Sequence, residues 1–152
     1  MNKPYFKPVA NNPAPLRATV KRLVRFEEVD SVGIVWHGRY PGYFEEARVT
    51  LGHKYGISYS DFIRQKHPVP IKQMGIDYIE PLFFEDEIEI EAILHFSEAV
   101  RMNYEYVIRK DERVVCTGYT IQLMLDDNFQ LLLCHPPFYA DFMEKWRKGL
   151  LD

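Results

Sequence analysis

The sequence contains only two cysteines, Cys116 and Cys134, and their separation matches no metal-binding motif. It has no apolar run long enough to span a bilayer and no secretory signal peptide. We therefore expect free thiols in a cytoplasmic protein without a membrane span or a bound metal. Basic residues are not in excess, since 19 lysines and arginines stand against 22 aspartates and glutamates, which argues against a nucleic-acid partner.

The sequence does have enough apolar and aromatic residues for one packed domain. A chain of 152 residues with 47% hydrophobic side chains fits a single core. Residues 1–15 are rich in proline and asparagine and lack periodicity, which predicts a flexible N-terminal arm. Residues 16–152 are then predicted to form one domain. Its 10 phenylalanines and 10 tyrosines also suit an interface with a second copy.

The first part of this domain is predicted to be a strand followed by two helices. Apolar residues alternate from Arg17 to Glu27, as is typical of a strand. A long helix is predicted to begin near His37 to Arg39, because Pro41 has to lie in a first turn, and to end at Gly56. A short helix should begin at Ser58. The long helix has an apolar stripe made of Tyr40, Tyr43, Phe44, Ala47, Leu51 and Tyr55.

The second part changes to a period of two. Strands are predicted around residues 74–78, 87–96, 101–109 and 117–125, and the short breaks between them indicate antiparallel neighbours. A last strand is predicted from Phe129 to Cys134, and an amphipathic tail helix after Pro137. This order predicts an α+β fold, in which one antiparallel sheet wraps around the long helix. The open sheet edges indicate pairing with a second copy.

The most informative segment lies between the first strand and the long helix. Asp30 follows the strand, and a short turn leads from it to His37 at the start of the helix. A helix N-terminus presents unpaired N–H groups and the positive end of the helix dipole, which together bind anions. Carbonyl-addition chemistry needs such a group beside a base or nucleophile. An aspartate in a turn is also a common cap, so the segment alone leaves a structural role open.

The segment 29–37, VDSVGIVWH, followed by Tyr40, Glu45, Ala47 and Arg48, resembles the hotdog-fold acyl-CoA thioesterases of the 4-hydroxybenzoyl-CoA thioesterase and YbgC-like family. A second and weaker match is the stretch 72–81, KQMGIDYIEP. The resemblance covers residues 17 to 127. It implies a hotdog fold, which is an antiparallel sheet wrapped around a central long helix.

The resemblance also implies catalytic roles. Asp30 would be the catalytic carboxylate, which attacks the thioester carbonyl or activates a water. The backbone N–H of His37 would hold the thioester oxygen, although its imidazole is a second candidate for acid or hydrogen-bonding work. Gly33 would let the loop turn tightly. The resemblance further implies a homodimer or homotetramer without a metal or cofactor, since coenzyme A is part of the substrate.

Four further residues are candidate contacts for the substrate. Trp36 stands where the family often has tyrosine or phenylalanine, and Tyr40 is expected to line the pocket. Glu45 is a candidate for orienting the site from the long helix. Lys72 is a candidate contact for the phosphates of coenzyme A.

We therefore predict a thioester hydrolase that converts an acyl-CoA to a free acid and coenzyme A. Two alternatives stay open: hydrolysis of acyl groups carried by acyl carrier protein, and a binding module for acyl thioesters without catalysis. A hotdog hydratase or dehydratase is less favoured, because its acid and histidine lie closer together, with Asn-Pro between them. The sequence does not identify the acyl group.

Overall fold

A computed structural model describes residues 3–151. Met1 and Asn2 of the predicted arm, and Asp152 of the predicted domain, lie outside the described residues. The elements, in chain order, are β1 (Leu16–Leu23), α1 (Tyr40–Tyr55), α2 (Tyr59–Arg64), β2 (Ile71–Tyr78), β3 (Glu87–His95), β4 (Arg101–Lys110), β5 (Arg113–Leu123) and α3 (Pro137–Arg147). The α+β prediction is confirmed.

The five strands form one antiparallel sheet in the order β1-β3-β4-β5-β2. Strands β3, β4 and β5 follow one another through short turns, as the breaks in the sequence predict. The edges are therefore β1 and β2, and each of them is paired on one side only. Strand β2 ends at Tyr78, which lies opposite Cys116 of β5.

Helix α1 lies close against one face of the sheet, which we call the inner face. The ring of Phe44 stacks on that of Tyr106, with ring centroids 4.5 Å apart and planes at 7°. A Cβ atom placed on Gly118 would lie 2.4 Å from the Phe44 ring, so only glycine fits there without displacement. The helix ends where predicted, because Gly56 adopts a left-handed φ of 73°. Ser58 and Asp61 form a capping box at the start of α2, also as predicted.

One residue of α1 departs from its expected place. The sequence pattern puts Arg48 outside the apolar stripe, but its side chain is buried between the helix and the sheet. Its guanidinium donates to the hydroxyl of Tyr59 at 3.0 and 2.8 Å and to that of Tyr106 at 2.9 Å. Hydroxyl acceptors compensate the loss of hydration, which is why a charged residue can occupy this position.

Two predicted strands differ from the structure. The strand predicted to reach Glu27 ends at Leu23, and a 3-10 turn over Phe26–Glu28 replaces its last residues. The strand predicted over Phe129 to Cys134 is absent. Its place is taken by a turn, in which Phe129 has a φ of 61° and Asp126 accepts hydrogen bonds from two main-chain N–H groups. One isolated bridge to Leu125 remains.

The tail helix and the N-terminal segment pack on the rest of the domain. Trp146 of α3 lies edge-on to Phe96, with ring centroids 5.0 Å apart, and its indole N–H donates to the Ala14 oxygen at 2.9 Å. Nearer the N-terminus, the Tyr5 ring lies 4.9 Å from that of Tyr119. The segment therefore contacts the outer face of the sheet, opposite α1. Over the described residues, no helix has the length and apolar character needed to cross a membrane.

Both cysteines are free thiols, as predicted, and they differ in environment. Cys116 is buried, and this burial, with a smaller contribution from Asp77, raises the pKa of its thiol to about 12. Cys134 is exposed.

The two thiols should differ in reactivity. Because the thiolate is the reactive form, we expect one thiol per folded chain to react with a disulfide reagent at pH 8, and both thiols to react in denaturant. Cys134→Ser should remove the fast reaction. Two fast thiols in the folded wild type would contradict the assignment.

Candidate active site

Asp30 lies in a tight turn between β1 and α1. Val29 and Val35 form a bridge across the base of this turn. The N–H of Asp30 donates to the Ile34 oxygen at 2.9 Å, and the N–H of Gly33 donates to the Asp30 oxygen at 3.0 Å. Gly33 has a φ of 91°, a conformation that side chains rarely adopt, so the predicted role of this glycine in the turn has a structural basis.

The carboxylate of Asp30 has one oxygen in the turn and one free of it. Its Oδ1 accepts a hydrogen bond from the Val32 N–H at 2.9 Å. Within residues 3–151, Oδ2 accepts none. The side chain is half-buried. It is thus oriented by its own turn while it keeps an oxygen available to a ligand or water.

A buried acid holds this turn in place. Both carboxylate oxygens of Glu28 accept from Arg22 Nη2 at 2.9 Å, and Oε1 also accepts from the Arg25 N–H at 2.8 Å. Arg22 also pairs with Glu46 of α1 at 2.8 Å. The main-chain oxygen of Glu28 accepts from the Trp36 N–H at 2.9 Å. The Asp30 turn is therefore anchored at its start and at its end to β1 and α1.

The Asp30 turn leads into the N-terminus of the long helix, α1. His37 to Arg39 form a 3-10 turn that continues directly into α1. Within the described part of the chain, the N–H groups of His37 and Gly38 have no hydrogen-bond partner. Unpaired N–H groups are typical of a helix start, and these two lie at the positive end of the helix dipole.

Asp30, His37 and Tyr40 line one open cavity of about 310 Å³. The size suits the reacting part of a small ligand. Three of the predicted site residues therefore come together, with a carboxylate and the start of a helix bordering the same space. The complete lining is Asp30, Ile34, Val35, His37, Tyr40, Tyr78, Ile79, Glu80 and Pro81.

The other four predicted residues do not line this cavity. Gly33 lies in the Asp30 turn. The Trp36 ring is half exposed and covers Gly38, where an added Cβ would lie 2.5 Å from it. The Glu45 carboxylate is exposed and lies 4.0 Å from the buried guanidinium of Arg48. Lys72 is exposed near the start of β2.

The cavity also contains residues that were not predicted as site residues, chiefly Tyr78 and Glu80. Tyr78 donates a hydrogen bond to the His37 oxygen at 2.7 Å, and Glu80 pairs with Arg113 at 3.2 Å. The alternation along β2 puts Tyr78 on the inner face, but no local signal says that this strand end meets the start of α1. Burial raises the pKa of Tyr40, with smaller effects of Cys116 and Tyr78, so its hydroxyl stays protonated in the cavity.

The described residues also bear on metal binding. Between Lys3 and Leu151, no three His, Cys, Asp or Glu side chains are arranged to hold a metal ion. The residues with polar side chains that line the cavity are Asp30, His37, Tyr40, Tyr78 and Glu80.

Comparisons with known proteins consistently find esterases and thioester hydrolases. The sequence profile of the thioesterase-like superfamily matches residues 24–143. A protein of Aquifex aeolicus, provisionally named an esterase, is 30% identical over 69% of this chain and 82% of its own length. The 1,4-dihydroxy-2-naphthoyl-CoA hydrolase of Synechococcus elongatus is 28% identical over 70% of this chain and 79% of its own.

A solved structure shares the fold. The DHNA-CoA thioesterase of Staphylococcus aureus superposes with a TM-score of 0.78 and 23% identity, over 88% of this chain and 90% of that one.

Proposed function

The chain belongs to the thioesterase-like superfamily, and from this premise we propose that it hydrolyses acyl-CoA thioesters with Asp30 as the catalytic carboxylate. The observation that carries the proposal is the shared cavity, which Asp30 borders together with His37 at the start of α1. Thioester hydrolysis needs these two elements, since one supplies the base or nucleophile and the other stabilises the oxyanion. The same geometry suits α1 as the central helix of a hotdog fold.

The proposed reaction begins when the thioester carbonyl binds at the helix start. The unpaired N–H of His37 donates to the carbonyl oxygen and stabilises the negative charge that develops there. Asp30 then either attacks the carbonyl carbon, giving a mixed anhydride that water cleaves, or takes a proton from an attacking water. In both routes the C–S bond breaks and coenzyme A leaves as its thiolate. Loss of one such oxyanion donor typically lowers the rate by about 10²- to 10³-fold.

The remaining residues are proposed to hold the rest of the substrate. Tyr40 would contact the acyl group inside the cavity, and Trp36 would form its outer wall. Lys72 would contact phosphates of coenzyme A, and Glu45 would orient the helix start through its contact with Arg48. The cavity is open, and β1 and β2 are unpaired on their outer sides. We therefore also propose a homodimer or homotetramer. From the sequence, which contains only two cysteines, we propose a cytoplasmic location.

Thiol release from a panel of acyl-CoAs tests the function. The panel contains short-chain, long-chain and aromatic acyl groups, and free coenzyme A is measured with a thiol reagent. Release that is proportional to enzyme supports hydrolysis, and the most active member identifies the acyl class. If no acyl-CoA is hydrolysed, the same acyl groups on acyl carrier protein are tested next. Tight binding of these thioesters without turnover would contradict the proposal in favour of a binding module.

His37→Ala separates the main chain of this residue from its side chain. Because the proposed donor is the backbone N–H, which alanine retains, we expect the variant to keep most of the wild-type kcat. The measurement is kcat and KM on the best substrate of the panel, with circular dichroism to confirm folding. Complete loss of activity in a folded variant would transfer the role to the imidazole.

A further inference from the structure

The tyrosine at the end of β2 contacts the first turn of the helical segment that follows the Asp30 loop. The Tyr78 hydroxyl donates to the main-chain oxygen of His37, with 2.7 Å between the two oxygens. Its ring packs edge-on against Tyr40, with centroids 4.8 Å apart and planes at 85°. The Tyr78 side chain is half exposed. One side of its ring lines the cavity and the other contacts Tyr40.

The His37 oxygen can accept this bond in addition to its place in the helix start. His37 lies in the 3-10 turn, in which a C=O pairs with the N–H of residue i+3. The α-helical donor, the N–H of residue i+4, is missing because that residue is Pro41. The Tyr78 hydroxyl donates to the carbonyl oxygen, which has two lone pairs. Burial raises the pKa of Tyr78, with a smaller effect of Cys116, so the hydroxyl keeps the proton that it donates.

We propose that Tyr78 is a positioning residue for the hydrolysis, which fixes the His37–Gly38 peptide. It thereby orients the unpaired Gly38 N–H and holds the main chain of His37, whose own N–H is the proposed oxyanion donor. This inference rests on the proposed function. None of the described peptide bonds is cis, so the Gly38 N–H points opposite to the carbonyl that Tyr78 holds. Fixing that carbonyl also fixes the direction of the N–H.

Preorganisation explains why this hydrogen bond would affect the rate of hydrolysis. Donors that are already oriented toward the developing oxyanion need no rearrangement when the substrate reacts. The Asp30 turn and Arg39, which donates to the Glu27 oxygen at 2.9 Å, hold the helix start on one side, and Tyr78 joins it to the sheet on the other. Tyr78 acts through the main chain of His37 and not on the reacting atoms. Its removal should therefore affect the chemical step more than substrate binding.

Tyr78→Phe tests whether the hydrogen bond to the His37 oxygen affects the chemical step. The variant keeps the ring on Tyr40 and loses only the hydroxyl, so we expect a near-normal thermal midpoint and a little-changed KM. We expect kcat to fall by about tenfold, the size of one neutral hydrogen bond. Tyr119→Phe is the matched control, since its hydroxyl accepts from Gln73 at 2.8 Å on the outer face, and it should keep the wild-type kcat. A raised KM with unchanged kcat would overturn the proposal and make Tyr78 a substrate contact.

A second measurement does not depend on activity. His37–Gly38 is the only His-Gly pair in the sequence, so a chain with ¹³C at histidine carbonyls and ¹⁵N at glycines gives a single HNCO cross-peak. Loss of the hydrogen bond should move its carbonyl carbon upfield in Tyr78→Phe and leave it in place in Tyr119→Phe. An unmoved peak in Tyr78→Phe would overturn the proposal.

The two measurements distinguish the possible failures. A moved peak with an unchanged kcat would show that the bond exists but does not position the reacting groups, and the inference would fall while the proposed function stands. A wild type that hydrolyses no thioester would remove the proposed function and the positioning role together. The moved peak would then remain as evidence for the hydrogen bond alone.

Discussion

Asp30→Asn should lower kcat by about 10²- to 10⁴-fold, the range typical of a lost general base, and by more if Asp30 is the nucleophile. Asparagine is close in size and keeps an oxygen that can accept from the Val32 N–H, so the turn should persist. What it lacks is the negative charge and the basic oxygen. The measurement is thiol release on the best acyl-CoA, for variant and wild type side by side.

The chain offers a matched control for this substitution. Asp126 also accepts main-chain hydrogen bonds in a turn, from Asn128 at 2.8 Å and Gln130 at 3.0 Å, and it does not line the cavity. Asp126→Asn should therefore keep the wild-type kcat. An Asp30→Asn variant with normal turnover would refute the catalytic assignment, whereas equal losses in both variants would point to damaged turns.

Phe44→Ala should lower the free energy of unfolding by about 3–5 kcal/mol. The ring is fully buried, stacks on Tyr106 and fills the space directly above Gly118. Its removal leaves a cavity between α1 and the sheet that the rigid strands close only in part. Urea unfolding monitored by circular dichroism measures the change. Phe129→Ala is the control, because its ring is 71% exposed and its loss should change the free energy by less than about 0.5 kcal/mol.

A double-mutant cycle sharpens the Phe44 prediction. Gly118→Ala alone should destabilise by about 1–3 kcal/mol, since the new methyl would lie 2.4 Å from the Phe44 ring. In the background of Phe44→Ala the clash with the ring is gone and only the contact of 2.8 Å with the Gly75 oxygen remains, so the pair should cost less than the sum of the single changes. Strict additivity would mean that the helix does not approach the sheet at this point.

Local rules account for most of the elements that the sequence predicts. The stop of α1 at Gly56 and the start of α2 at Ser58 depend on side chains adjacent in sequence, and both predictions are confirmed. The alternation in β3 likewise follows from burial of the inner face, whereas β4 is buried on both faces, as Tyr106 and Val107 show. The predicted strand after Phe129 is wrong because the turn hydrogen bonds of Asp126 determine the backbone there.

Contacts between residues that are far apart in the sequence could not be predicted from local patterns. Arg48 looks like a surface residue of α1, and only the hydroxyls of Tyr59 and Tyr106 explain its burial. Similarly, nothing near Tyr78 in the sequence indicates His37, which lies 41 positions away and becomes its partner through the fold. The Asp30 segment was recognisable because its parts are contiguous, whereas the opposite wall of the cavity comes from another strand.

The edge position of β2 has a consequence for how the cavity behaves over time. This strand pairs only with β5, has an irregular register near Ile71, and most of its residues are exposed. Segments with few buried contacts open locally at a lower free energy than the whole domain. In a single chain, amide hydrogens of β2 should thus exchange with solvent sooner than those of β4, which lies between two neighbours. On heating, the wall that carries Tyr78 would loosen while the remaining strands stay folded, so activity should decline before the domain melts unless the proposed second copy pairs with β2.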